Sequence, residues 1–148
     1  MPHTITSLCP RALLLLCLTL GGGTITAHAQ PSAIEYYYRV KPGYADEFIR
    51  LFKKNQYPVL KKQIEMGRIL SIKAVTPRVH PNGNERWDYR VTVTFRNAKV
   101  AVSDFNSESL NKTLHPDQET FRREERRRSE ILQAHWGLPV NEIDLDAK

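Results

Sequence analysis

The stretch from Lys41 to Phe95 constrains the fold most, because it joins one helical pattern to two strand patterns. From Trp87 to Phe95, large apolar residues alternate with polar ones, which is typical of a strand with one buried face. A shorter alternation from Ile69 to Thr76 ends at Pro77, and the turn residues of 81–84 (PNGN) lie between the two runs. This stretch therefore predicts a helix followed by a two-stranded hairpin.

The predicted helix runs from Tyr44 to Met66 and is apolar on one side. Pro58 lies near its middle and cannot donate a hydrogen bond to the Lys54 carbonyl, so we expect a kink or a division into two helices. Gly67 predicts the end of the helix. The apolar stripe consists of Tyr44, Phe48, Leu51, Phe52, Val59 and Met66.

A first strand is predicted before this helix, from Ala33 to Val40, where apolar and mixed residues alternate. After the hairpin, a short helix from Ala98 to Phe105 begins at the capping residue Asn97. A polar loop is expected from Asn106 to Leu114. Another helix begins at Pro116 and carries acidic residues in its first turn and arginines in its last.

Residues 129–136 fit two structures. Gly137 and Pro139 are possible stop signals for a helix that continues to Trp136, whereas alternating residues favour a strand. We predict a strand, because it completes the order β-α-β-β-α-β of an antiparallel, ferredoxin-like α+β fold. Residues 30–148 are expected to form this one domain.

The first 29 residues have the pattern of a signal peptide, with Arg11 before a short apolar run and Ala27-His28-Ala29 as a cleavage site. We therefore expect an exported protein, periplasmic or secreted, without a membrane span. Both cysteines, Cys9 and Cys17, lie in this leader, so no disulfide is expected.

The net charge of +6 favours anionic surfaces or small anions as partners, although a solvated charged surface is the simpler interpretation. In the arginine-rich run from Arg122 to Arg128, glutamates partly cancel the charge, and we expect no nucleic-acid site. His80, His115 and His135 lie on different predicted elements, so we expect no shared metal site. No phosphate loop or haem-attachment motif is present, and we expect no cofactor.

Several short strings carry a resemblance to a known group of proteins. These are the KPG before the first helix, the WDY that opens the third strand, the HPD before the charged helix and the RSEIL near the end. The chain resembles a group of exported bacterial proteins of unknown function that is similar to the dimeric α/β-barrel superfamily. Members of that superfamily include cofactor-independent quinol monooxygenases, stress-response barrel proteins and haem-degrading enzymes.

The resemblance implies a homodimer in which two sheets pair face to face, with the helices outside. The alternation then assigns one face of each sheet to the helices and leaves a mixed face toward the partner. The helix face is expected to hold Tyr36, Tyr38, Leu70, Ile72, Trp87, Tyr89, Val91 and Val93. The mixed face is expected to hold Glu35, Tyr37, Arg39, Ser71, Lys73, Asp88, Arg90, Thr92, Thr94, Gln133 and His135.

Candidate site residues come from this mixed face. His135, Tyr37 and Arg90 are the catalytic candidates, because a strand position on the mixed face can reach a pocket and the imidazole of His135 titrates near neutral pH. Ligand-binding candidates are Arg39, Lys73, Arg90 and Tyr37, which together present charge-assisted donors to an anion. The simpler alternatives are a structural histidine, aromatic packing, and cations paired with Glu35 and Asp88 on neighbouring strands.

Two functions follow as expectations. The first is an exported α/β-barrel protein, structural or binding a small molecule, with no more specific role. The alternative is an enzyme resembling cofactor-independent oxygenases or isomerases that acts on a small aromatic or anionic substrate. The sequence leaves it open whether the chain is an enzyme, because no acid–base pairing is visible in it.

Overall fold

A computed structural model describes residues 30–79, 83 and 86–146 of the chain. It contains a four-stranded antiparallel sheet in the order β2-β3-β1-β4. This order and the helices between the strands confirm the predicted ferredoxin-like α+β fold. The leader, His80 and most of the predicted hairpin turn lie outside the described residues. The strands are β1 (Ser32–Val40), β2 (Ile69–Val75), β3 (Tyr89–Phe95) and β4 (Leu132–Val140).

The predicted first helix is divided at Pro58. Its first part, α1, covers Ala45–Leu51, a π-helical segment covers Phe52–Gln56, and α2 covers Tyr57–Glu65. The Tyr57 N–H donates to the carbonyl of Phe52, five residues earlier. Because Pro58 has no N–H to continue the usual pattern, the wider turn just before it accommodates the break.

Three further helices follow β3, and one of them was not predicted. They are α3 (Ala98–Val102), α4 (Glu108–Leu114) and α5 (Gln118–Ile131). The predicted cap of α3 is confirmed, since the Asn97 side chain accepts a hydrogen bond from the Val100 N–H at 2.9 Å. The loop predicted for Asn106 to Leu114 is wrong, because most of it forms α4.

The last helix and last strand differ from the prediction at their boundaries. Helix α5 begins at Gln118, with Asp117 rather than Pro116 at its start, and the Asp117 carboxylate accepts from the Thr120 N–H. The helix ends at Ile131 and β4 begins at the next residue, so the strand predicted from Ser129 starts three residues later. Pro139 is accommodated within β4 because β4 is an edge strand.

The hydrophobic core lies between one face of the sheet and the helices. Tyr38 on β1 and Tyr89 on β3 both pack against Phe48 of α1, with ring centroids 5.2 and 5.7 Å apart. Phe48 is 1% exposed, and Val40 is fully buried beside it. Other core residues are Leu51, Phe52, Ile69, Val91, Val93, Phe95 and Ile131.

Leu70 does not lie on the predicted face of the sheet, because β2 contains a bulge. In β2, Ile69 pairs with Phe95 and Ser71 pairs with Thr94, so Leu70 is an extra residue in a bulge. Leu70 is 51% exposed rather than packed under the helices, and Ile69 occupies the core instead.

Trp87 and Asp88 also exchange their predicted environments, because β3 begins only at Tyr89. Asp88 is 5% exposed. Its carboxylate accepts from the Val40 N–H at 2.7 Å and from the Arg86 guanidinium at 2.9 Å. Trp87 contacts Tyr37, on the side of the sheet away from the helices.

The C-terminal end of α2 is closed by a glycine in the left-handed conformation, with φ of +67° at Gly67. The Gly67 N–H donates to the Ile64 carbonyl, and the Arg68 N–H donates to the Gln63 carbonyl, both at 2.9 Å. This hydrogen-bond pair is a Schellman motif. The motif ends α2 at Gly67, the predicted stop, and it sets the direction in which the chain enters β2.

We expect Gly67→Ala to lower the free energy of unfolding by about 1 kcal/mol, because a side chain disfavours positive φ. No atom lies within 4 Å of the position a Cβ would take, so the loss reports backbone strain alone. Urea unfolding measures it. Gly67→Asn is the matched control, since Asn tolerates this conformation; equal losses in both variants would contradict this explanation.

Candidate functional site

A cavity of about 480 Å³ lies between the sheet and the helices. Its floor is formed by Val91 and Val93 of β3, and its opposite wall by Val59 and Leu60 of α2 with Ala101 of α3. These walls are apolar, whereas the groups around them are polar or aromatic. Those groups include Tyr36, Tyr38, Gln56, Gln63, Arg68, Ser103, Phe105, Ser107, Arg128, Ser129 and His135.

One end of the cavity is an aromatic stack. Tyr38 and His135 are cross-strand partners on β1 and β4, and their rings are 4.5 Å apart with planes inclined by 10°. The Tyr36 ring lies 6.0 Å from the same imidazole. Gly137 is the cross-strand partner of Tyr36, and a Cβ there would lie 3.2 Å from that ring. A glycine at this position therefore leaves space for the Tyr36 ring.

The stack is uncharged at neutral pH. Burial raises the pKa of Tyr38 to about 12, while the positive charge of Arg128 opposes part of this effect. Burial also lowers the pKa of His135, and Arg128 lowers it further. A ligand at this end therefore meets a phenol and a neutral imidazole, which can donate or accept hydrogen bonds.

Two arginines line the cavity, and they differ in how the protein compensates their charge. Arg128 binds Glu125 with two hydrogen bonds, of 3.1 Å from Nε and 2.7 Å from Nη2. Arg68 makes no ion pair with any carboxylate in the described part of the chain. Its Nη2 donates to the Ser103 hydroxyl at 3.0 Å, and its guanidinium lies 5.0 Å from the centre of the Phe105 ring.

The opposite face of the sheet, which we call the open face, carries an aromatic cluster of Tyr37, Trp87 and Trp136. The rings of Tyr37 and Trp136 are parallel within 3° and 5.3 Å apart. Trp87 meets Tyr37 edge to face at 5.8 Å. All three residues are half-buried.

Glu35 organises the polar groups beside this aromatic cluster. Its carboxylate accepts from the Tyr37 hydroxyl at 2.5 Å and lies 3.3 Å from Nη1 of Arg90. The hydrogen bond to Glu35 is the largest cause that raises the pKa of Tyr37, and burial adds to it. The charge of Arg90 is thus compensated by a carboxylate on the neighbouring strand, as the simpler alternative in the sequence analysis predicts.

The structure separates the candidate residues onto the two faces of the sheet. Tyr37 and Arg90 are cross-strand partners on the open face, and Arg39 and Lys73 share that face. His135 lies on the cavity face instead, so it is not beside Tyr37 and Arg90. A bulge explains the difference: Val40 pairs with Leu132 but Arg39 pairs with Ala134, so Gln133 is an extra residue and the alternation reverses after it.

The other described histidine has a structural contact. Nε2 of His115 lies 3.2 Å from the Asn55 carbonyl in the π-helical segment, and its ring stacks on Phe121 at 4.4 Å. Among the described residues, no group of three or more histidine, cysteine or acidic side chains is arranged to hold a metal ion. None of the described helices is both long and apolar enough to span a membrane.

The likeness of this chain to known proteins lies in its structure and not in its sequence. No family model matches the sequence, and no curated protein matches it. Similar solved structures include a NIPSNAP family protein from Agrobacterium tumefaciens, with 11% identity, a TM-score of 0.46, and coverage of 78% of this chain and 96% of that one.

Two other similar structures differ in their described roles. A cofactor-independent oxygenase from Streptomyces nogalater has 9% identity and a TM-score of 0.46, and the match covers 80% of this chain and 100% of that one. A dimeric ferredoxin-like protein of unknown function from Jannaschia has 10% identity and a TM-score of 0.45, with coverage of 76% and 100%. These comparisons establish no specific role for the chain.

The lowered pKa of His135 makes stability depend on pH. The unfolded chain protonates this imidazole near pH 6.5, at a higher pH than the folded protein does, so folding is weakened as the pH falls through that value. We expect His135→Gln to remove this contribution. The unfolding free energy of the wild type relative to this variant should therefore be lower at pH 5 than at pH 8. A difference that is constant or rises toward low pH would contradict the lowered pKa of His135.

Proposed function

We propose that this protein is an exported binding protein for a small molecule, which it holds in the cavity between its sheet and its helices. The observation that supports this most directly is the cavity of about 480 Å³, which is lined by both apolar and polar side chains. Binding pockets for small molecules have volumes of roughly 300–1,000 Å³ and combine apolar walls with polar groups that orient the ligand.

The chemistry of the site favours binding over catalysis. The enzymatic alternative, an oxygenase or isomerase that uses His135 with Tyr37 and Arg90, requires these groups to reach one substrate. His135 faces the cavity while Tyr37 and Arg90 lie on the open face. A catalytic role would therefore have to use His135 with Tyr36 or Tyr38, which stack on it.

We also propose that two copies pair through their open faces. The aromatic cluster of Tyr37, Trp87 and Trp136 is half-buried and lies on the side away from the helices that cover the core. Glu35 compensates Arg90 within the same face, which lowers the cost of removing this pair from water. A two-fold axis brings identical patches together, so such a face can serve as its own partner.

Export is part of the proposal and rests on residues 1–29, whose pattern is that of a cleaved leader. The protein recovered from an exported fraction should then begin at Gln30. Native mass spectrometry of that fraction reports the cleavage, the number of subunits and any retained ligand in one spectrum.

We expect the native protein to carry a small molecule, or to bind an added aromatic probe, and Ala101→Trp to abolish this by filling the cavity from α3. Binding of 8-anilinonaphthalene-1-sulfonate, followed by fluorescence, measures the effect. Ala98→Trp is the matched control, because Ala98 is exposed on the same short helix and does not line the cavity. Equal binding by both variants would place the bound molecule elsewhere.

We expect the wild type to sediment as a dimer and Trp136→Glu to sediment as a monomer, because a buried charge without a partner is costly. Analytical ultracentrifugation measures the mass. Val102→Glu is the control, since Val102 is an apolar residue that is 82% exposed outside the open face. A monomeric wild type would refute the pairing, and so would a dimer that survives Trp136→Glu.

A further inference from the structure

We infer that the ligand of the cavity is a small carboxylate with an apolar body, and that Arg68 binds its carboxylate group. This inference rests on the proposed function, because it specifies the chemistry of the molecule in the same cavity. Beyond the proposed function, it assigns one binding residue, the charge of the ligand and the orientation of the ligand in the cavity.

Among the described residues, no carboxylate compensates the charge of Arg68 in the cavity wall. Arg128, the other arginine of the wall, is neutralised by the two hydrogen bonds of Glu125. No ion pair is formed by Arg68 within the ranges that the structure describes. Its Nε–H is buried and has no acceptor among those residues. The guanidinium therefore retains donors and a full charge that the surrounding protein does not use.

The guanidinium is also held in place. Its Nη2 donates to the Ser103 hydroxyl at 3.0 Å, and the Ser103 hydroxyl in turn donates to the Val100 carbonyl at 2.9 Å. The Phe105 ring lies 5.0 Å from the guanidinium carbon, within the distance of a cation–π contact. Fixing the cation before the ligand arrives reduces the entropy that binding must overcome.

A carboxylate matches the geometry of this group. The planar guanidinium presents parallel N–H donors whose spacing matches the two oxygens of a carboxylate. Since Glu125 already compensates Arg128, the described lining of the cavity offers one uncompensated cation, which favours a ligand with a single negative charge.

The remaining side chains that line the cavity indicate the polarity of the part of the ligand beyond its carboxylate. Arg68 directly precedes β2, whereas His135 lies on β4, so β3 and β1 separate the two ends by about 14 Å at the usual strand spacing. Val91 and Val93 line the floor between them. The ligand thus has an apolar body over these valines, and its uncharged distal end meets Tyr36, Tyr38 and His135.

The inference is tested by calorimetry on the purified protein with two probes of the same shape, the anion 4-phenylbutyrate and the neutral 4-phenylbutyramide. We expect the wild type to bind the carboxylate at least tenfold more tightly than the amide, which is about 1.4 kcal/mol. Arg68→Gln should abolish this preference while the amide binds as before, because glutamine retains a donor for Ser103. Arg68→Lys should keep part of the preference. Arg122→Gln is the control, since it removes an exposed arginine that does not line the cavity.

The outcomes separate this inference from the proposal on which it rests. If carboxylate and amide bind equally to the wild type, and Ala101→Trp abolishes both, the cavity is a binding site but Arg68 does not select an anion. If the preference survives Arg68→Gln, another cation binds the carboxylate and the assignment of Arg68 is overturned. If neither these probes nor 8-anilinonaphthalene-1-sulfonate bind the wild type, the proposed function fails, and this inference fails with it.

Discussion

The packing of Phe48 between Tyr38 and Tyr89 is the contact on which the rest of the structure depends. It joins α1 to the two central strands, with ring centroids 5.2 and 5.7 Å apart. Because side chains alternate along a strand, fixing Tyr38 under the helices also fixes Tyr37 on the other face. One aromatic contact thus determines which residues line the cavity and which form the open face.

The elements with a strong period could be predicted from the sequence. Strands β1 and β3 and the division of the first helix follow from alternation, from helical spacing and from the missing N–H of Pro58. Helix α4 could not be predicted in this way, because none of its residues is buried and no apolar stripe marks it. Its own side chains contribute local contacts instead, such as the ion pair of 2.8 Å between Lys112 and Glu108.

The candidate site was only partly predictable, and the reason lies in bulges and turns. Tyr37 and Arg90 lie together on the open face, as the alternation of β1 and β3 predicts. His135 does not join them, because the alternation of β4 changes at Gln133 and no residue type in the sequence marks that change. Arg68 was missed because it follows a helix stop, where its side-chain direction depends on the turn at Gly67 and not on any period.

Helix α5 passes into β4 without a connecting loop, and the Lys41 N–H donates to the Ile131 carbonyl at this junction. Because no loop separates α5 from β4, the bulge at Gln133 determines the face of the sheet on which every later side chain of β4 lies. If Gln133 instead paired regularly with Arg39, Ala134 would oppose Tyr38, and His135 and Trp136 would exchange faces. The cavity would gain an indole, and the open face would lose a third of its aromatic cluster. The lining of the cavity and the aromatic cluster of the open face are therefore coupled through this one bulge. Loss of Gln133 itself would leave both unchanged, because Leu132 and Ala134 already oppose Val40 and Arg39.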